Sequence, residues 1–91
     1  MEWKASHILV KDRGLANMIL KKVKSGGNFS ALAKEHSICG SNAKGGDLGW
    51  FGPGKMVPKF EEAVKKLKVG RISGLVGTQF GFHIIKKTGE R

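Results

Sequence analysis

With one cysteine in 91 residues, Cys39, the chain cannot form an internal disulfide, and a reducing compartment is the simplest setting for its thiol. Stability must then come from packing. No stretch approaches the roughly 18 apolar residues that a membrane-spanning helix needs, and the opening Met1-Glu2-Trp3-Lys4 lacks the apolar segment of a secretory leader. The expectation is a soluble, cytoplasmic protein. No internal repeat or low-complexity linker divides it, and a chain this short leaves no room for a second domain, so residues 1–91 read as one unit. Acidic residues are also scarce: 7 against 17 Lys and Arg, a formal charge of +10. The excess admits an anionic partner, either nucleic acid or a membrane surface bound peripherally. Lysine supplies 14 of the 17 cations, and lysine lacks the planar fork that arginine offers to phosphates and guanine edges, so diffuse attraction is expected rather than sequence reading. Lys21, Lys22, Lys24, Lys65, Lys66 and Lys68 are the candidates for such a surface.

What is present is organised around two histidines. Ser6-His7-Ile8-Leu9-Val10 opens the chain and Gly81-Phe82-His83-Ile84-Ile85 closes it, both in short β-favouring runs. Trp3 to Val10 alternates Ala5, His7 and Leu9 with Ser6, Ile8 and Val10, and both sides are mainly apolar, as in a central strand. Leu15, Met18, Ile19 and Val23 recur at helical spacing until Lys24-Ser25-Gly26-Gly27 ends the element. Asn28 is a suitable N-cap for a second helix whose buried stripe is Phe29, Leu32, Ala33 and His36. From Ile38 to Gly54 glycine, serine and asparagine dominate, which predicts an ordered loop with one short strand over Leu48 to Phe51. Met56 and Phe60 belong to the start of a third helix with Pro58 in its first turn, Glu61 and Glu62 near its N-terminus, and Lys65, Lys66 and Lys68 near its C-terminus. Its inner face is Phe60, Ala63, Val64 and Leu67. Arg71 to Val76, interrupted by Gly74, and Thr78 to Thr88 read as the last two strands. The order implies an α+β domain with helices covering a small sheet. The first and last strands, being the most apolar, should lie at its centre, and that would bring His7 and His83 together.

Two motifs are set aside. Gly49 to Lys55 spells G-x-x-x-x-G-K, but Met56 stands where a nucleotide-binding loop needs Ser or Thr for magnesium, and the domain is too small for that fold. His36 and Cys39 hint at a metal, yet no second pair completes a tetrahedral set, so no metal or other cofactor is expected.

Ala5-Ser6-His7-Ile8-Leu9-Val10, Phe29 through Ser37, Gly45-Gly46-Asp47-Leu48-Gly49, Met56-Val57-Pro58-Lys59-Phe60 and Thr78-Gln79-Phe80-Gly81-Phe82-His83-Ile84-Ile85, taken in order, resemble a parvulin-type peptidyl-prolyl cis/trans isomerase, in its short single-domain form. The resemblance implies a four-stranded antiparallel sheet surrounded by about four helices, with a shallow groove for an Xaa-Pro segment. It further implies that His7 and His83 are paired beneath the groove, that Cys39 faces the twisting peptide bond, and that Thr78 hydrogen-bonds to the histidines. Leu48, Met56 and Phe60 would line a proline pocket and Phe80 would close one wall. The partners would be proline-containing peptides and unfolded proteins, met by a monomer. Lys11-Asp12-Arg13-Gly14 runs straight into the first helix where phosphate-directed members carry a long basic loop, so phosphate dependence is not expected.

The residue types suit that chemistry. An amide C–N bond resists rotation with a barrier of roughly 18–20 kcal/mol because resonance keeps it planar. A catalyst need break no bond if it holds the proline ring in an apolar cup, excludes water and binds the twisted amide better than either planar form. The competing expectation is a basic module that docks its lysines on a membrane or nucleic acid without catalysis.

Overall fold

The computed structural model describes residues 1–91. In chain order it contains β1 (Trp3–Val10), α1 (Arg13–Lys24), α2 (Phe29–His36), a 3-10 helix (Gly40–Lys44), β2 (Asp47–Phe51), α3 (Pro58–Lys66), β3 (Val76–Thr78) and β4 (Gly81–Glu90). The strands form one antiparallel sheet in the order β2-β1-β4-β3. The first and last strands are therefore its centre, as their apolar character requires. Three α-helices and the 3-10 turn stand in place of the expected four helices.

Alternation along β1 divides the interior into two cores. Ile8, Val10 and Ile84 face α1 and α2, where they meet Ala16, Ile19, Val23, Phe29, Leu32 and Ala33. Trp3, Ala5 and Ile85 face α3 and pack on Phe51, Phe60 and Val64. A small sheet thus buries apolar side chains on both faces, which explains why neither side of β1 reads as polar. The split also separates the candidate lysines: Lys21, Lys22 and Lys24 belong to α1 and Lys65 and Lys66 to α3, across the sheet from one another, with Lys68 just beyond α3.

Local details depart from the sequence reading in several places. Met18 is 41 % exposed, and the buried stripe of α1 is Ala16, Ile19 and Val23. Asp12 does more than interrupt the strand, since its Oδ2 accepts the Leu15 N–H at 2.9 Å and caps α1. His36 is only partly buried and lies 3.7 Å from Glu35. Met56 precedes α3 instead of belonging to it. The Arg71 to Val76 segment is not a strand: Ile72 makes an isolated bridge to Lys86, and regular pairing begins only at Val76. The cause is Ser73, whose Oγ accepts the Ile85 N–H at 3.0 Å, so that a side-chain hydroxyl takes the place of a ladder carbonyl. Thr78, expected to start the last strand, ends β3, and Gln79 and Phe80 turn the chain into β4.

The segment after α2 is fixed to β1 by Ser37. Its buried Oγ accepts the Leu9 N–H at 3.0 Å, while the Ile38 N–H donates to the Leu9 carbonyl at 2.8 Å. Ser37→Ala should strand the Leu9 N–H and lower unfolding free energy by about 1–3 kcal/mol in a denaturant titration. A change under a few tenths would show that water replaces the hydroxyl. Gly46 completes the approach on the same side of β1: its carbonyl accepts the His7 N–H at 2.9 Å with φ of 87°, and a Cβ there would sit 2.3 Å from the His7 oxygen. No other residue type fits that contact without moving the backbone.

Candidate active site

The register of the central strands places His7 opposite Ile85 and Leu9 opposite His83. His7 and His83 are diagonal neighbours on the α3 face of the sheet, and their Nδ1 atoms lie 2.9 Å apart. The rings stack at 5.1 Å with 23° between their planes. Phe60, reaching in from α3, meets both edge-on, at 5.5 Å from His7 and 5.4 Å from His83. The far nitrogen of His83, Nε2, lies 2.8 Å from Thr78 Oγ1, which also accepts the Phe80 N–H at 3.2 Å. A continuous chain of polar contacts therefore runs from His7 through His83 and Thr78 to the β3–β4 turn.

A Nδ1–Nδ1 contact needs one protonated and one bare nitrogen, so two neutral arrangements satisfy it. In either, His7 Nε2 is buried without a partner. A bare acceptor is the cheaper orphan. That choice makes His7 Nδ1–H the donor to His83 and His83 Nε2–H the donor to Thr78, leaving the threonine proton free. Both rings are held neutral: burial lowers the pKa of His7 from 6.5 to about 4, helped by the adjacent His83, and burial alone lowers that of His83 to about 4.

Above the rings lies an open cavity of about 420 Å³ lined mostly by apolar side chains. Leu48 from β2, Met56 from the loop before α3, and Phe60 form its sides. Cys39 and the two histidines line it as well, and Phe80, half exposed at the hairpin tip, stands at its rim. Cys39 is a free, partly buried thiol, and its Sγ accepts the Ser41 hydroxyl at 3.4 Å. The residues singled out in the sequence are thus brought together here, with Thr78 one hydrogen bond behind the lining.

Three lining residues escaped the sequence reading: Leu9, Val57 and Lys55. Leu9 shares the His7 face by strand alternation and could have been found from that period, as Val57 could from its place beside Met56. Nothing in the local pattern marks Lys55. It is exposed at the rim, on a loop tethered by the Gly54 N–H donating to Glu61 Oε1 at 2.8 Å. No cluster of three or more His, Cys, Asp or Glu side chains is placed to hold a metal ion.

A family model described as the PPIC-type PPIase domain matches residues 1–91. The foldase protein PrsA of Geobacillus kaustophilus is 59% identical over 86 residues, which cover 93% of this chain and 31% of that protein. Among solved structures, the peptidylprolyl isomerase PrsA of Bacillus anthracis superposes with a TM-score of 0.97 at 52% identity, over 99% of this chain and 42% of that one. NmPin, the parvulin of Nitrosopumilus maritimus, gives 0.85 at 49% identity over 97% of this chain and 96% of its own. The chain therefore spans about a third of the length of the curated PrsA relatives and nearly all of a short parvulin.

Proposed function

Because the chain belongs to the PPIC-type peptidyl-prolyl isomerase family, we propose that it accelerates cis/trans rotation about Xaa-Pro bonds in flexible or unfolded polypeptides, without a covalent intermediate. The observation that carries this reading is the apolar cup of Leu48, Met56 and Phe60 standing over a neutral, hydrogen-bonded histidine pair. The cup takes the pyrrolidine ring. Met56 adapts to it and Phe60 offers a broad flat wall, so proline is recognised by shape with few demands on its neighbours. Twisting the amide out of plane localises its nitrogen lone pair and costs resonance, and a site that excludes water and fits the twisted form lowers that barrier.

His7 and His83 work as a rigid polar floor. Their neutrality means that neither donates a charge, and their bond to Thr78 fixes ring orientation beneath the substrate. Cys39 faces the cup as a weakly polar group, and rotation requires no nucleophile. The PrsA relatives are foldases, and a role on unfolded proteins is our extension of that to this chain.

The test is a proline-peptide exchange assay with the purified chain, in which Met56→Ala should lower kcat/KM about tenfold, the loss of roughly 1.4 kcal/mol of contact with the ring. No acceleration by the folded wild type would reject the function. Cys39→Ser and Cys39→Asp should both retain activity within about tenfold of wild type. Complete loss in both, with the fold intact by circular dichroism, would revive covalent catalysis.

A further inference from the structure

The cup does not end at its rim. A second cavity of about 430 Å³ shares Val57 with it and is walled by Lys59, Thr78 and Gln79. A third, of about 650 Å³, shares Lys59 and Gly77 with the second and continues between α3 and the chain leading into β3. The three hollows adjoin in series, and the second and third run beside β3 as one track. That strand pairs with β4 on one side only, so its other edge carries backbone groups with no strand partner. Gly77, the middle residue of β3, is exposed and has no side chain, and a Cβ built there would meet only the Phe82 ring, at 3.9 Å. A side chain at Gly77 would point to the Phe82 face of the sheet, away from α3, and it is the β3 backbone itself that borders the second and third hollows.

Exposed strand edges are ordinarily protected, because they add further strands readily. This one is flanked by lysines. Lys59 and Lys66 line the track without an ion-pair partner, whereas the one carboxylate on its wall, Glu62, lies 3.9 Å from Lys65. Uncommitted positive charge beside an open edge suits an extended segment that carries acidic side chains.

We propose that the residues flanking the substrate's proline, on one side of it, leave the cup over Val57 and lie as a short added strand along the open edge of β3. Acidic side chains are favoured there by Lys59 and Lys66. The inference rests on the isomerase reading and extends it from the proline itself to the two or three residues beyond, the length that the three residues of β3 can pair. Backbone hydrogen bonding would make the track tolerant of sequence, with charge as its main discrimination.

The test uses the 91-residue chain and synthetic peptides with a central Ala-Ala-Pro-Ala core. The core is used alone, or extended by about four residues on its N-terminal or C-terminal side, with the extension carrying either Glu or Lys. Amide NMR shifts give the footprint and Kd, and exchange between cis and trans peptide signals gives the rate in the same samples. One extension, and not the other, should tighten binding and add shifts at Lys59, Gly77 and Gln79 to those around the cup. Its Glu form should bind about fivefold tighter than its Lys form at low salt, with the gap closing at high salt. Lys59→Glu should abolish most of that preference. Equal affinity for all peptides, with shifts confined to the cup, would overturn the proposal. So would a Glu preference whose shifts fall on Lys21, Lys22 and Lys24, since that is general charge attraction. If the core peptide is isomerised while extensions add nothing, only this inference fails. If the core is bound and never accelerated, the isomerase reading fails with it.

Discussion

Phe60→Ala should lower unfolding free energy by about 3–5 kcal/mol, the usual range for truncating a buried aromatic. Phe60 is 2 % exposed and holds the α3-side core together against Phe51, Val64 and Ile85. For a domain of this size, whose total stability is of order 5–15 kcal/mol, that loss corresponds to a fall in Tm of roughly 15–30 °C. The effect on activity should be larger than stability alone explains, because the same ring supplies a wall of the cup and the edge contacts that hold both imidazoles. Phe60→Leu separates the two roles. It keeps most of the buried volume, so the denaturant midpoint should move much less, while kcat/KM still falls about tenfold or more as the rings lose their flat neighbour. Denaturant titration and the proline exchange assay measure both variants. Full activity in Phe60→Leu would show that Phe60 is core alone.

Acid should weaken the protein through the histidine pair. Both rings have folded pKa values lowered to about 4 from an ordinary 6.5. Between those values the unfolded chain binds protons that the folded chain refuses, so stability rises with pH across that window. The contribution is complete above pH 6.5 and is lost as pH falls through about 4. Because the His7 shift includes the charge of His83, the two do not add, and the expected loss is of order a few kcal/mol for the pair. Unfolding free energies measured from pH 7 to pH 4 should therefore fall most steeply below pH 6, and the His7→Gln/His83→Gln double variant should lose most of that slope. A flat wild-type profile across the window would contradict a buried, neutral pair. Isomerase activity should follow the same limb, since protonating His83 puts hydrogens on both Nδ1 atoms, and protonating His7 leaves a buried, charged Nε2–H without a partner.

The parts of this arrangement that were legible in the sequence are those set by period. Alternation along Trp3–Val10 and Gly81–Ile85 fixes which faces His7 and His83 share, and their apolar neighbours require central strands, so the pairing follows from local pattern. Helical spacing likewise places Phe60 inward. The parts that were not legible depend on single long-range bonds. Cys39 reaches the cup because Ser37 is bonded to Leu9, a contact across 28 positions that no periodicity announces. Ser73 interrupts the ladder by offering a side-chain oxygen to the Ile85 N–H in place of a carbonyl, so an apparently continuous strand signal from Arg71 to Val76 yields only an isolated bridge at Ile72. Lys87 is the clearest case. Counted among the surface cations by composition, it is 2 % exposed, with its Nζ donating to the Leu67 carbonyl at the end of α3 and to Glu90. The last strand is thereby tied to the third helix by a charge that never meets the solvent.

The two ends of the chain pair with each other as well: Glu2 and Arg91 exchange both backbone hydrogen bonds, at 2.6 and 2.8 Å, and the Arg91 guanidinium lies over Trp50 at 4.1 Å. A polypeptide that came in at one end would go out beside it. Such a body can be spliced into a loop of a larger host at a single pinch point, and the host's path is hardly interrupted. The same closure has a kinetic cost, because β1 has only β2 beside it until β4 has emerged, and the site cannot exist before His83 arrives with that strand.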